Sequence, residues 1–538
     1  MRNIPCNLKR HTCLLTWFFL ILFGATVQAA TIRGFVRDHS SRETIPGASV
    51  QIANTNIGTP ANLDGFYILS NLSAGNYTLR FSAMGYAVLT KPVTLDANAV
   101  KTLDVELAVT GVQQKEIEVI GEREENDEGR QTAKVSSVVI ESQRIKNIPA
   151  LAGEVDILRM IQAIPGVKST SDISTGLNVR GGNSAMCLIQ MDQSAVYNPS
   201  HMFGIFSTFN GDAVKHLQLM KGGFSAEYGG RAGSILEVVT KEGNRNETKG
   251  NVSLGIVSSR ALIEGPLPGK QGSYALSGRR TYFDFILDPL RKNEDFKDLP
   301  DYYFYDANGK LNWDFNEKTT LTVAGYTGLD DMTVEAGDDD SRFKISTQWG
   351  NRTFASRLRH VVSTDAFVTF GYTYSRYASD FSIYNEGRQM MAFTNQFHDQ
   401  MLRTDGEYHG ISNHTFRTGI EAHRFSVVVK SMNEKTTQAD INGHSWNIAH
   451  YLQDNWKLAP KLEMKYGLRW YWHEMGKWTK FDPRLAFVYH YNPMTRFKLA
   501  GGRYHQWIEL INGDASGASF EIWVPNDGSI SPMYSDQT

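Results

Sequence analysis

Residues Leu462 to Trp472 read "LEMKYGLRWYW". Leu462, Met464, Tyr466, Leu468, Trp470 and Trp472 fall on one face of an extended chain, and Glu463, Lys465, Gly467, Arg469 and Tyr471 fall on the other. Residues 366–377, "AFVTFGYTYSRY", repeat the split, with Val368, Phe370, Tyr372 and Tyr374 against Thr369, Gly371, Thr373 and Ser375. Side chains alternate across a strand, so an apolar face backed by a polar one is what a strand needs between lipid and a polar lumen. A soluble sandwich alternates too, and repetition separates the two cases. About twelve such segments lie between residues 248 and 508. The chain has no apolar run of 18 or more residues, so any membrane span must be β.

Upstream of these strands lies "MKGGFSAEYGGRAGSILEVVTKEGN", Met220 to Asn244, with five glycines between Gly222 and Gly233. A glycine-rich loop before a strand invites a nucleotide-binding reading. The spacing excludes it: neither Gly-x-x-x-x-Gly-Lys-Ser/Thr nor Gly-x-Gly-x-x-Gly occurs. From about residue 135 to 244 an amphipathic piece, "AGEVDILRMIQAIPGV", carries Val155, Ile157, Leu158 and Ile161 at helical spacing. Short strands follow in "GLNVRGG", "CLIQMDQ" and "ILEVVTK".

The N-terminus sets the compartment. Arg2, Lys9 and Arg10 precede the apolar run "CLLTWFFLILFGA" and then "TVQAA". That order is a secretory signal, residues 1–29, cleaved near Ala29 or Ala30. Cys6 and Cys13 leave with it, and Cys187 alone stays, so the exported chain has no internal disulfide. Formal net charge is only -2 over 538 residues, which gives no basis for a nucleic-acid partner.

Residues 30–108 alternate as a small all-β unit of about seven short strands. Val50 and Ile52, then Tyr77, Leu79 and Phe81, then Leu103, Val105 and Leu107 form its inner face. Through "GFVRD" and "IPGASVQIANTNIGTPANLDGFYILSNLSAGNYTLRFSAMGY" it resembles the carboxypeptidase-like regulatory domain, a transthyretin-like sandwich. No hydrolase chemistry accompanies it. The chain has no His-x-x-Glu, His-Glu-x-x-His or Gly-x-Ser-x-Gly, and His39 is the unit's only histidine.

The block 135–244, with "ILRMIQAIPGVKST" and "GLNVRGGNSAMCLIQMDQSAVYNPSHMFGIFSTFNGDAVKHLQLMKGGFSAEYGGRAGSILEVVTKEGN", resembles the plug domain of TonB-dependent outer-membrane receptors. "FDPRLAFVYHYNPMTRFKLAGGRYHQ", 481–506, resembles a barrel hairpin of the same family. The resemblance implies a sandwich, a mixed α/β plug and an antiparallel transmembrane β-barrel from 245 to 538. A barrel of about 22 strands is the family pattern, so about twelve strands imply an incomplete one. The last residues, "NDGSISPMYSDQT", read as polar turn, not strand.

The family also implies a receptor for energised uptake of a scarce ligand such as a siderophore-iron complex, a glycan or cobalamin. Its partners would be a TonB-ExbB-ExbD type complex, outer-membrane lipid, the extracellular ligand and a surface lipoprotein. No cofactor, metal, nucleic acid or catalysis is expected. The rival reading is a binding or signalling receptor that does not transport. A signalling type would carry a further N-terminal domain, whereas the sandwich here follows the signal directly.

Three groups of residues carry these expectations. In the charged linker 109–134, Glu116, Ile117, Glu118, Val119, Ile120 and Gly121 form a β-prone patch suited to strand addition by the energy-transducing partner. The plug loop "YNPSHMFGIF" offers Tyr197, Asn198, His201, Phe203 and Phe206 to a ligand. Arg180, Gly181, Gly182, Gly222, Gly223, Tyr228, Gly229 and Gly230 serve tight turns and close packing against a barrel wall. The turn at Asp192-Gln193, where the family often has Asp-Gly, is left without a type.

Overall fold

A computed structural model describes residues 30–110 and 136–538, apart from short stretches within them, the longest being 146–153 and 170–175. The signal segment and the patch Glu116 to Gly121 lie outside the described residues.

The N-terminal unit is a sandwich of two four-stranded sheets. One is built on Ala30–Asp38, flanked by Phe66–Leu72, Val100–Thr102 and Val105–Leu107; the other runs Gly58–Pro60, Ser49–Ile52, Gly75–Ser82, Leu89–Leu95. Val50, Ile52, Leu79, Phe81, Val105 and Leu107 are buried in one core with Ile32 and Val36, and Tyr77 and Leu103 pack at its margin. Each fully buried aliphatic or aromatic side chain contributes about 1.5–3 kcal/mol, so the unit has its own driving force.

In the plug, five strands order as Ser194–Ala195, Cys187–Met191, Ser234–Thr240, Val214–Met220, Ser137–Glu141. The helix Ile157–Gln162 starts at Asp156, whose side chain accepts from the Arg159 N–H and caps it. Ile157, Leu158 and Ile161 are the helix's buried face and join the sheet's core through Leu217, Leu236 and Val238. Cys187 is buried and free. Asp192 and Gln193 both have positive φ, +48° and +71°, so the hairpin from Met191 to Ser194 turns as a type I′ loop without its customary glycine.

The barrel wall is one fourteen-stranded sheet. Its strands follow chain order from Lys249–Leu254 through Thr495–His505, each antiparallel to the next, and Tyr534–Gln537 closes the list. Phe343–Val361 has 19 residues and Thr436–Ala459 has 24, about twice the 9–11 that cross a bilayer, so the wall projects well beyond the lipid. Among the described residues the first and last strands each pair on one side only. The turn reading of the chain's final residues is corrected here: Tyr534 to Gln537 pair with His505 to Gly502, because the long neighbouring strand offers an open edge that local polarity does not reveal. Outward positions carry Phe354, Phe370, Leu402, Ile420, Leu452 and Leu468, all exposed, while the inward face mixes charged and polar groups with aromatic rings such as Phe304, Trp349 and Phe397 and packs against the plug.

The sandwich docks at the barrel end that carries the turns following Val361 and Ala459. The Phe66 and Phe367 rings meet edge to face at 5.6 Å, the Arg359 guanidinium lies 4.8 Å from the Phe35 ring centre, and Lys457 donates to the Gly58 carbonyl.

Candidate functional site

The glycine-rich loop is held by arginines. Arg484 of the barrel donates to the carbonyls of Phe224, Ser225 and Tyr228, and Arg469 donates to those of Ala226 (3.2 Å) and Glu227 (3.3 Å). Arg417 pairs with the Glu227 carboxylate at 3.1 Å. A phosphate cradle presents N–H groups to an anion, whereas this loop presents carbonyls to cations, so the chemistry is the reverse of nucleotide binding. At Gly229 an added Cβ would overlap the Tyr471 hydroxyl and the Arg469 guanidinium, and Gly230 takes φ +81°. The other residues singled out nearby turn or brace the plug. Arg180 and Gly181 have positive φ, Gly182 bridges back to Val179, Arg180 donates to Ser136, Gly222 and Gly223 lie against Gln537, and Tyr228 donates to Glu237.

A second seam forms around His201. Its Nδ1 lies 2.6 Å from Asp330 and its Nε2 2.8 Å from Asp306, carboxylates on neighbouring barrel strands. Tyr302 donates to Asp330, Tyr326 to Asp306, and Arg279 bridges Asp306 to the Ser207 carbonyl, while the Phe304 ring stacks on the imidazole at 4.1 Å. Burial works against a charged imidazole, but the two carboxylates outweigh it and hold His201 at a pKa of about 9. At neutral pH the seam is an ion cluster.

The loop expected to face a ligand is largely packed inside the molecule. Tyr197, His201 and Phe206 are buried, since their partners on the barrel wall, Asp399, Asp306 and Phe304, arrive from about a hundred or more residues away. Tyr197 donates to Asp399, and Trp523, on the hairpin Ile508–Ala515 with Ala518–Pro525, packs against its ring at 5.3 Å. Asn198 is partly buried and braces its own turn by accepting from Ser200. Phe203 alone of the five is exposed, at 57%, with φ +54° and its ring 4.7 Å from Trp349. It stands at the barrel end away from the sandwich.

At the sandwich end the plug and sandwich share a buried ionic node. Glu242 accepts from Thr44 Oγ1 at 2.6 Å and from Lys215 at 2.8 Å, and the Gly243 N–H donates to Glu43. Burial opposes the charge on Glu242, yet Lys215 and Lys310 hold it well below the usual carboxylate range. Lys310 also pairs with Asp192 at 2.7 Å. Beside the node a polar cavity of about 460 Å3 is walled by all three units, through Arg37 and Asp104, Asp192 and Glu242, and Lys310 and Arg403.

Sequence reasoning missed the barrel halves of these contacts: Asp306, Asp330, Arg417, Arg469 and Arg484. The available signal was a charged residue on the inward face of an alternating strand, which Arg469 shows within "LEMKYGLRWYW".

A β-wall with a separate domain clamped inside it is the architecture of a plugged outer-membrane barrel. The family model for the TonB-dependent Receptor Plug Domain matches residues 129–234, that for a CarboxypepD_reg-like domain matches 32–119, and that for an outer membrane beta barrel domain matches 306–476. TonB-dependent receptor P26 of Formosa agariphila is 28% identical over 44% of this chain and 23% of its own length. TonB-dependent transporter Oar of Myxococcus xanthus is 25% identical over 43% and 22%. The matches thus span under a quarter of these relatives. The siderophore receptor PirA of Acinetobacter baumannii shares the fold at TM-score 0.55 with 16% identity, over 75% of this chain and 67% of that one; PirA of Pseudomonas aeruginosa does so at 0.54 with 15%, over 74% and 70%. In its sandwich, plug and barrel units the chain matches the domain models of TonB-dependent outer-membrane receptors and is similar to curated members of that family, and these matches place it in the outer membrane.

Proposed function

We propose that this receptor takes up a scarce ligand across the outer membrane, driven by an energy-transducing partner that pulls on the linker between sandwich and plug. The observation that carries the reading is the clamp on the loop Phe224 to Arg231. Three barrel arginines and a buried histidine cluster keep the plug in the lumen, so passage requires work on the plug. Glu116 to Gly121 is the segment we assign to the partner, from its β-prone sequence and its position in the linker. The ligand enters at the end where Phe203 and Trp349 lie; siderophore-iron, glycan and cobalamin classes all suit such a receptor, and a surface lipoprotein would deliver it.

The test is Val119→Pro in the full-length receptor. Proline removes the N–H that a pairing strand needs, so energised uptake is expected to stop while surface binding of the ligand stays. Wild-type uptake in that variant would exclude the segment. Binding without any energy-dependent uptake by the unaltered receptor would instead make it a non-transporting one.

A further inference from the structure

The outer wall carries two cations side by side where an outer-membrane barrel would be expected to face lipid. Arg352 and Arg376 are direct cross-strand partners, and Arg376 is in turn opposite His398 on the next strand. All three point outward, because the inward positions of these strands are the buried Asn351, Thr353, Ser375, Tyr377 and Asp399. Neither Arg352 nor Arg376 makes a hydrogen bond or ion pair among the described residues. Like charges directly opposite in a sheet repel, so this pairing costs stability unless an anion sits between them.

The place is also shaped. Above the pair, on the same outer face, small residues Gly350 and Ala378 leave a notch of about 200 Å3, walled by Tyr305, Leu329 and Gln348. Asp380, at its far side, is engaged by the Thr394 hydroxyl. Below the pair the outward residues turn aromatic and apolar: Phe354, Tyr374, Tyr372 and Phe370. Tyr374 in addition holds His398 through its hydroxyl at 3.0 Å. Arg359 and Phe367, at the other ends of these strands, touch the sandwich, so the arginine row lies toward the opposite end of the barrel. A cation row just beyond an aromatic belt is at headgroup depth.

We propose that Arg352 and Arg376 form a binding site for the phosphate of a phosphorylated lipid headgroup in the outward leaflet. Two guanidinium forks on strands about 4.8 Å apart match the several oxygens of one phosphate, and the notch above accepts the sugar or glycerol that carries it. The aromatic belt below meets the acyl chains.

The experiment uses full-length receptor purified from outer membranes into mild detergent, with native mass spectrometry of retained lipid. The probes are bisphosphorylated lipid A, its fully dephosphorylated form, and inorganic phosphate. Retention of the bisphosphorylated lipid at least tenfold above the dephosphorylated one is expected, and Arg352→Gln with Arg376→Gln should remove that preference. Arg424→Gln, an outward arginine opposite Gln400 and Trp446 with no cation beside it, should leave the preference unchanged. Equal retention of both lipids by the wild type overturns the site without recourse to any variant. So does an unchanged preference in the double variant. Displacement of the lipid by millimolar inorganic phosphate would make the site one for free phosphate and overturn the lipid assignment.

Discussion

His201 of the plug reaches Asp330 of the barrel wall at 2.6 Å, although 129 residues separate them in the chain. With Asp306 on its other nitrogen the imidazole is a charged pin between two carboxylates. The His201 pKa rises from an ordinary 6.5 to about 9 on folding, so its contribution is full below about pH 6.5 and is lost as pH rises through 9. The loss is on the order of 3 kcal/mol. Melting of the purified receptor between pH 6 and 10 should show the plug loosening at the alkaline end, and His201→Gln should flatten that dependence while lowering stability at pH 7. An unchanged alkaline slope in the variant would assign the titration to another group.

Gly229 lies where the loop touches the wall. Arg469 cannot retreat, since it is buried and paired with Glu421, so Gly229→Ala should overpack the seam at a cost of about 1–3 kcal/mol. Limited proteolysis of the folded receptor is the readout, and faster cleavage within the plug is expected. Resistance equal to wild type would mean that the wall yields at Tyr471.

The Asp192-Gln193 turn separates strain from charge. Gln193→Gly relieves a positive φ and should raise the plug's stability by up to about 1 kcal/mol. Asp192→Asn keeps the turn but leaves Lys310 buried without its carboxylate, and should cost about 3 kcal/mol. Chemical denaturation of the two variants should therefore shift in opposite directions.

The sandwich has its own core and meets the rest through polar contacts and a few rings. Deleting residues 31–107 should leave the full-length barrel in the outer membrane, scored by its heat-modifiable mobility on gels. Glu242→Gln, which weakens the node with Lys215 and Thr44, should release the sandwich to protease without unfolding the barrel. Loss of the inserted barrel on deletion would show that the two fold together.

The sequence by itself determined the kind of the sandwich strands, the plug helix and the long wall strands, and the face each long strand presents, but not the final strand Tyr534–Gln537. Alternation in "LEMKYGLRWYW" put Leu468 outward and Arg469 inward, and helical spacing picked out Leu158 and Ile161, because a backbone's period acts over neighbouring residues. It did not determine what those faces meet. His201, Tyr197 and Phe206 sit in a loop whose local sequence suits an exposed surface, and only the arrival of Asp306, Asp399 and Phe304 from distant strands buries them. The same holds for the glycine loop, whose small residues signal close approach but not the guanidiniums of Arg469 and Arg484 that approach. Burial inside a curved wall is a property of two surfaces brought together in space, and one chain segment carries only its own half.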